Sequence, residues 1–164
     1  DWKSPKTIVR NVLTCARDYG NYLLNIGPKP DGSIPDASVE ILTNVGRWMD
    51  THGALIHSAQ PCKVRRSTLA NFTRTGNKLY VHVYFWPGQT VSSGGLTNKV
   101  LSAKLYPSGQ PVQFQQEDFR VQFVGLPANS PDPLVTVLEV ECDGEPNQDN
   151  EAVRRNRRRA GVGV

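Results

Sequence analysis

Apolar positions recur with a helical period in the first residues of the chain and again after residue 36. From residue 69 onward they follow a two-residue period, so the organisation changes near residue 60. Ser4 followed by Pro5 forms an N-cap and first-turn pair, and Ile8, Val9, Val12, Leu13 and Ala16 then fall on one face, predicting a helix up to Asp18. Tyr22 to Ile26 is a short apolar run between Gly20 and Gly27, which predicts a strand covered on both faces, the kind found in parallel sheets. That reading makes Asn25 a buried amide in need of partners. Ile34, Pro35 and Asp36 announce a second helix, with Val39, Leu42, Val45, Trp48 and Met49 on its inner face and His52-Gly53 as its stop.

Beyond the change of period come six runs of strand composition: "LANFTRTG", "KLYVHVYFW", "KVLSAKLYP", "QPVQFQQ", "FRVQFVGLP" and "LVTVLEVEC". In the second of these Leu79, Val81, Val83 and Phe85 alternate with Tyr80, His82, Tyr84 and Trp86, the pattern of a strand with two different faces. The turn signals between the runs, with no helical stretch among them, predict an antiparallel sandwich or barrel. Ser92 to Gly95 lacks the ending of a phosphate loop and reads as a flexible hairpin connection.

Composition narrows the function classes. The 164 residues are 38% hydrophobic and 21% charged, a globular balance sufficient for one domain with a sizeable core or for pieces of two. No run approaches the roughly 18 apolar residues of a membrane span, and the opening "DWKSPKT" has no leader pattern, so a soluble piece of a longer chain is expected. The net charge of +4 comes from Arg154, Arg155, Arg157, Arg158 and Arg159 against Glu151, which leaves residues 1–150 neutral. With no aromatic residue interleaved, this run reads as a disordered basic tail rather than a nucleic-acid or membrane contact. Cys15, Cys62 and Cys142 are too few for a disulfide framework and read as plain thiols. His52, His57 and His82 lack metal-ligand spacing, so no metal or cofactor is expected, and His52 reads as a helix-end residue facing the C-terminal dipole. "NFT" at Asn71 matches a glycosylation acceptor, a pattern common by chance.

The stretches "GNYLLNIGPKPDGSIP" and "VGRWMDTHGALIHS" resemble the end of the catalytic barrel in the α-L-fucosidases of glycoside hydrolase family 29. "KLYVHVYFWPG", "KVLSAKLYPSGQPVQFQQ" and "VGLPANSPDPLVTVLEVECDG" resemble the C-terminal β-sandwich of the same enzymes. The resemblance implies an α+β chain: residues 1–60 as the last strand and helices of a (β/α) barrel, 61–145 as an antiparallel β-sandwich, and 146–164 as the basic tail. It implies a retaining hydrolase of terminal α-L-fucosides, with a fucosylated glycan as partner of the intact enzyme and a secreted, periplasmic or lysosomal setting. In a barrel enzyme the loops after the strand ends build the catalytic face, which places "GPKPDG" beside the substrate. The family carries an aromatic or apolar side chain near the sugar at the position of Tyr22; Asn25, Gly27 and Pro28 then belong to the structure of that face.

Retaining glycosidases need two carboxyl groups about 5–5.5 Å apart, and the family's pair is expected upstream of this chain, so no catalytic residue is assigned here. Asp31 before Gly32 reads as a turn residue. Uncovered barrel surface, with Leu23, Leu24 and Ile26 on it, makes self-association into a homo-oligomer an expectation. The competing reading is a non-catalytic carbohydrate-binding or structural module that stacks sugars on Tyr80, Tyr84 or Trp86.

Overall fold

The computed structural model describes residues 2–149 and 151. Ser4 caps the first helix, α1 (Pro5–Arg17), its Oγ accepting the Thr7 N–H at 3.2 Å, and Ile8, Val9, Leu13 and Ala16 turn inward. The helix ends in a Schellman motif. Tyr19 donates to the Ala16 carbonyl and Gly20 to that of Cys15, and the left-handed residue is Tyr19, at φ 61°.

The second helix, α2 (Asp36–His57), runs a turn past the predicted stop. Gly53 did not end it because the residues beyond, Ala54, Leu55 and Ile56, are good helix continuers, and burial of Leu55 rewards the extra turn. Val39, expected inside, is half exposed, whereas Val45 and Trp48 are buried.

Seven strands follow: β1 (Ala70–Thr75), β2 (Lys78–Val83), β3 (Thr90–Gly94), β4 (Val100–Tyr106), β5 (Gln113–Glu117), β6 (Arg120–Val124) and β7 (Thr136–Cys142). They form two antiparallel sheets, ordered β1-β2-β7-β4 and β3-β6-β5. Six of the strands lie in the predicted runs. The seventh, β3, contains the segment read as a flexible connection: Val91 alone supplies a strong apolar signal there, and its ladder to β6 defines the strand.

Leu79, Val81 and Val83 of β2, with Phe72, Leu105, Leu138 and Val140, face the second sheet and form the sandwich core with Val121 and Phe123. The other face of the four-stranded sheet is covered as well. Tyr80, Tyr84, Val135 and Val137 pack against Ile8, Val9, Leu13, Val45, Trp48 and Leu55 of the two helices. The arrangement is therefore three layers, helices on sheet on sheet, with two apolar cores. Asn147 and Asp149 donate backbone hydrogen bonds to Asn98 and Gly95, fastening the end of the described chain to the strands. The arginine run 154–159 lies outside the described residues.

Candidate functional site

The stretch from Gly20 to Pro35 crosses between the helices in extended form, and its side chains alternate as a strand's would. Tyr22 and Leu24 pack with the helical cluster, while Leu23 is 94% exposed and Asn25 and Ile26 are exposed. No ladder partner pairs with it among the described residues, so the predicted strand is present as an extended segment without a sheet. The physical reason is that a strand covered on both faces needs neighbouring strands and a facing layer, and here only the helix side is covered. Asn25 is accordingly not buried.

Tyr22 has a fixed orientation: its hydroxyl accepts a hydrogen bond from Asn11 Nδ2 of α1 at 3.2 Å. Asn25 lies on the wall of a cleft of about 200 Å³ formed with Trp2, Leu24, Ile26, Ser38 and Ile41. Trp2, Ser38 and Ile41 carried no signal in sequence that joined them to this segment; the convergence of the two helix N-terminal ends on the end of the extended run makes the cleft. Among the described residues Lys3 is the one charged residue on its wall, and no carboxylate among them lines it.

Gly27 and Pro28 are exposed and lead into a tight loop. Lys29 and Ser33 close it through an N–H to carbonyl bond of 2.8 Å, Gly32 turns it at φ 83°, and Asp31 Oδ1 accepts both the N–H and the hydroxyl of Ser33 at 2.9 and 2.7 Å. Those hydrogen bonds, the hydroxyl's first, hold the Asp31 carboxyl below the ordinary carboxylate range. Asp31 is thus an ionised turn residue, the role its place before a glycine predicts.

The polar groups buried deepest lie elsewhere, between the helices and the sheet. His82 is fully buried, its Nε2 2.8 Å from Thr73 Oγ1 and its Nδ1 without a partner, and burial pushes its pKa down to about 3. His52 is not a helix-end residue. It sits inside α2, stacked on Trp48 with ring centres 4.4 Å apart, its Nδ1 3.0 Å from the Trp48 carbonyl, and burial lowers its pKa too. His52 packs between the Trp48 and Tyr106 rings, and burial of both histidines keeps their imidazoles neutral and leaves no substrate access.

Tyr80 and Tyr84 are buried beneath the helices, and the Trp86 indole N–H donates to the Pro127 carbonyl at 2.9 Å while its ring packs on the sandwich core. Tyr80 and Tyr84 present no open face for sugar stacking, and Trp86 is partly buried against the sandwich core. Cys15, Cys62 and Cys142 are free thiols, and burial raises the Cys142 pKa to about 11. Among the described residues no group of three or more His, Cys, Asp or Glu is placed to hold a metal ion, and no helix is long and apolar enough to cross a membrane.

The architecture has close counterparts. A family model for α-L-fucosidase matches residues 1–54. The tissue α-L-fucosidase of Mus musculus is 29% identical over 139 residues, 82% of this chain and 30% of the mouse protein. Among solved structures, α-L-fucosidase isoenzyme 1 from Paenibacillus thiaminolyticus superposes with a TM-score of 0.78 at 33% identity, over 87% of this chain and 35% of that one. The Thermotoga maritima α-fucosidase in complex with fucose gives 0.73 at 26% identity, over 84% and 34%. The chain spans about a third of the length of these relatives. The structural matches run through the helices and the sandwich together, so over most of its length the chain is similar to the C-terminal portion of the α-L-fucosidases.

Proposed function

We propose that this chain supplies the end of the catalytic barrel, residues 1–60, and the β-sandwich, 61–145, of a retaining α-L-fucosidase acting on terminal α-L-fucosides of glycans. The observation that carries the reading is the joint match: one superposition on a solved fucosidase takes in 87% of this chain. The nucleophile and the acid/base carboxyl are assigned to residues upstream of it, in keeping with a cleft that has no carboxylate on its wall among the described residues.

Within this reading Tyr22 to Ile26 is a barrel strand awaiting its neighbours, and Gly27 and Pro28 open its catalytic-face loop. The roles expected for Tyr22 and Asn25 exchange. Tyr22, tied to Asn11, braces the strand against α1; Asn25, exposed beside the cleft, offers its amide toward the sugar side. The sandwich supports the barrel end by burying one sheet face under α1 and α2.

The test is hydrolysis of an aryl α-L-fucoside, followed by NMR to read the anomeric form of the first product. The complete protein is expected to release the phenol and, as first product, fucose in the α configuration of the substrate, and the 164-residue chain alone to give no turnover above a buffer blank. Inversion in the complete protein, or turnover by the chain alone that survives repurification, would contradict the assignment.

A further inference from the structure

One surface outside the cleft has the geometry of a receptor. The guanidinium carbon of Arg10 on α1 lies 4.6 Å from the centre of the Tyr84 ring and 4.9 Å from that of Phe85. The Lys6 ammonium, one turn earlier, is 5.7 Å from the same Phe85 ring. Tyr84 is buried, whereas Phe85 is 48% exposed. The Arg10 side chain makes no hydrogen bond among the described residues, its carbonyl accepts from the Thr14 and Tyr84 hydroxyls, and the ion pairs among the described residues include neither cation. No acidic residue occurs in α1, and Arg66 adds its positive charge near Tyr84. None of the Arg10 side-chain nitrogens is among the buried polar atoms that lack a hydrogen-bond partner.

Two rings therefore hold a guanidinium whose donor edge has no partner among the described residues, with a second cation beside it and no carboxylate among those residues paired with either. Holding the fork in place beforehand reduces the ordering cost of binding. A planar fork of N–H donors pairs two-to-two with an oxyanion, and an ammonium alongside adds a point charge. The exposed Phe85 ring supplies an apolar face at the rim, suited to the C–H face of a sugar. We propose that Arg10, Lys6 and Phe85 form a binding site for an oxyanion carried on a sugar, a sulfate ester or a uronate-type carboxylate. The oxyanion follows from this geometry; the sugar carrier rests on the glycosidase reading, and makes the surface a recognition site for acidic glycans.

The experiment is an amide NMR titration of the full chain at low salt with galactose 6-sulfate, glucuronate, galactose and sodium sulfate as probes. Saturable shifts at α1 and at residues 84–86 are expected with the two acidic sugars and none with galactose. Arg10→Lys, which keeps the charge and removes the fork, and Lys6→Ala should each raise the Kd about tenfold, the order of one charge-assisted contact. Thermal melts of both variants establish that they remain folded, and Lys6→Ala provides the answer if Arg10→Lys does not. Absence of saturable shifts, or a Kd unmoved in the folded variants, would overturn the site; equal affinity for sodium sulfate and galactose 6-sulfate would overturn the sugar carrier. Because binding is read without turnover, a chain that binds these sugars while the complete protein leaves fucosides intact sinks the glycosidase reading alone, and the reverse pattern sinks this inference alone.

Discussion

Tyr19 occupies a backbone conformation that glycine adopts freely and a bulky side chain does not: φ is 61°, the side chain is 74% exposed, and the residue sits at the left-handed position of the α1 stop. Its ring gains little packing to offset the strain. Tyr19→Gly is accordingly expected to raise stability by about 1 kcal/mol, seen as a higher urea midpoint with an unchanged slope; a lower midpoint would mean that the ring contributes more than its exposure indicates. His82 makes a second residue-scale prediction. Its folded-state pKa is depressed by burial, to about 3, from the ordinary 6.5, so the folded chain holds the neutral imidazole while the unfolded chain takes up a proton. The stabilisation is present in full above pH 6.5 and is lost as pH falls from there toward the folded value, at about 1.4 kcal/mol per pH unit for one such group. His52, also depressed by burial, acts in the same direction. Urea midpoints between pH 7.5 and 5 should fall with acidification, and His82→Gln should flatten that slope; an unchanged slope would locate the acid sensitivity elsewhere. Neither residue could be read in advance. In sequence His82 is one polar member of an alternating strand face, and only the helices laid over that face make it a buried group.

At the scale of elements, glycines that look alike in the sequence have opposite environments. A Cβ on Gly53 would meet Met49 Cε at 3.5 Å and His57 Cδ2 at 3.8 Å, ordinary contacts, within a helix that gains from a residue with less backbone freedom. Gly53→Ala should stabilise the chain by about 0.5–1 kcal/mol. On Gly95, at φ 83°, a Cβ would lie 2.8 Å from Gln148 Cγ, and the Gln148 amide already binds the Gly94 carbonyl and the Arg65 N–H. Gly95→Ala should destabilise, by on the order of 1–3 kcal/mol, and release the chain end from the sheet. Thermal melts of the two variants moving in the same direction would contradict the analysis. The helices and six of the strands were legible because caps and periodicity are local signals. What escaped was set by partners distant in sequence: β3 depends on its ladder to β6, and the last turn of α2 on burial of Leu55, so neither announces itself in its own residues.

For the whole molecule, the same alternation that marked β2 as two-faced concealed the third layer. Tyr80 and Tyr84, the sugar-stacking faces of the competing reading, instead lie with His82 under α1 and α2, so the sandwich core and the helical core share one sheet. This stacking leaves the stretch between the helices as the weakest part of the described chain. Through residues 21–28 no backbone group makes a hydrogen bond among the described residues, and Leu23 and Ile26 are uncovered. Proteases act on segments that adopt an extended conformation without unfolding the rest, so susceptibility follows local protection rather than global stability. Thermolysin, which cuts before large apolar residues, should nick the isolated chain first between Tyr22 and Ile26, while β2 and β7, buried in the middle of the four-stranded sheet, stay intact. On the proposed reading, the same segment in the complete protein would be a barrel strand with both edges paired, and the nick should disappear under identical conditions. Mass spectrometry of the first fragments decides the matter: a first cut within the sandwich would show that the helical layer is the more rigid part, and equal cleavage of Tyr22 to Ile26 in both proteins would mean that the segment is not taken into a barrel.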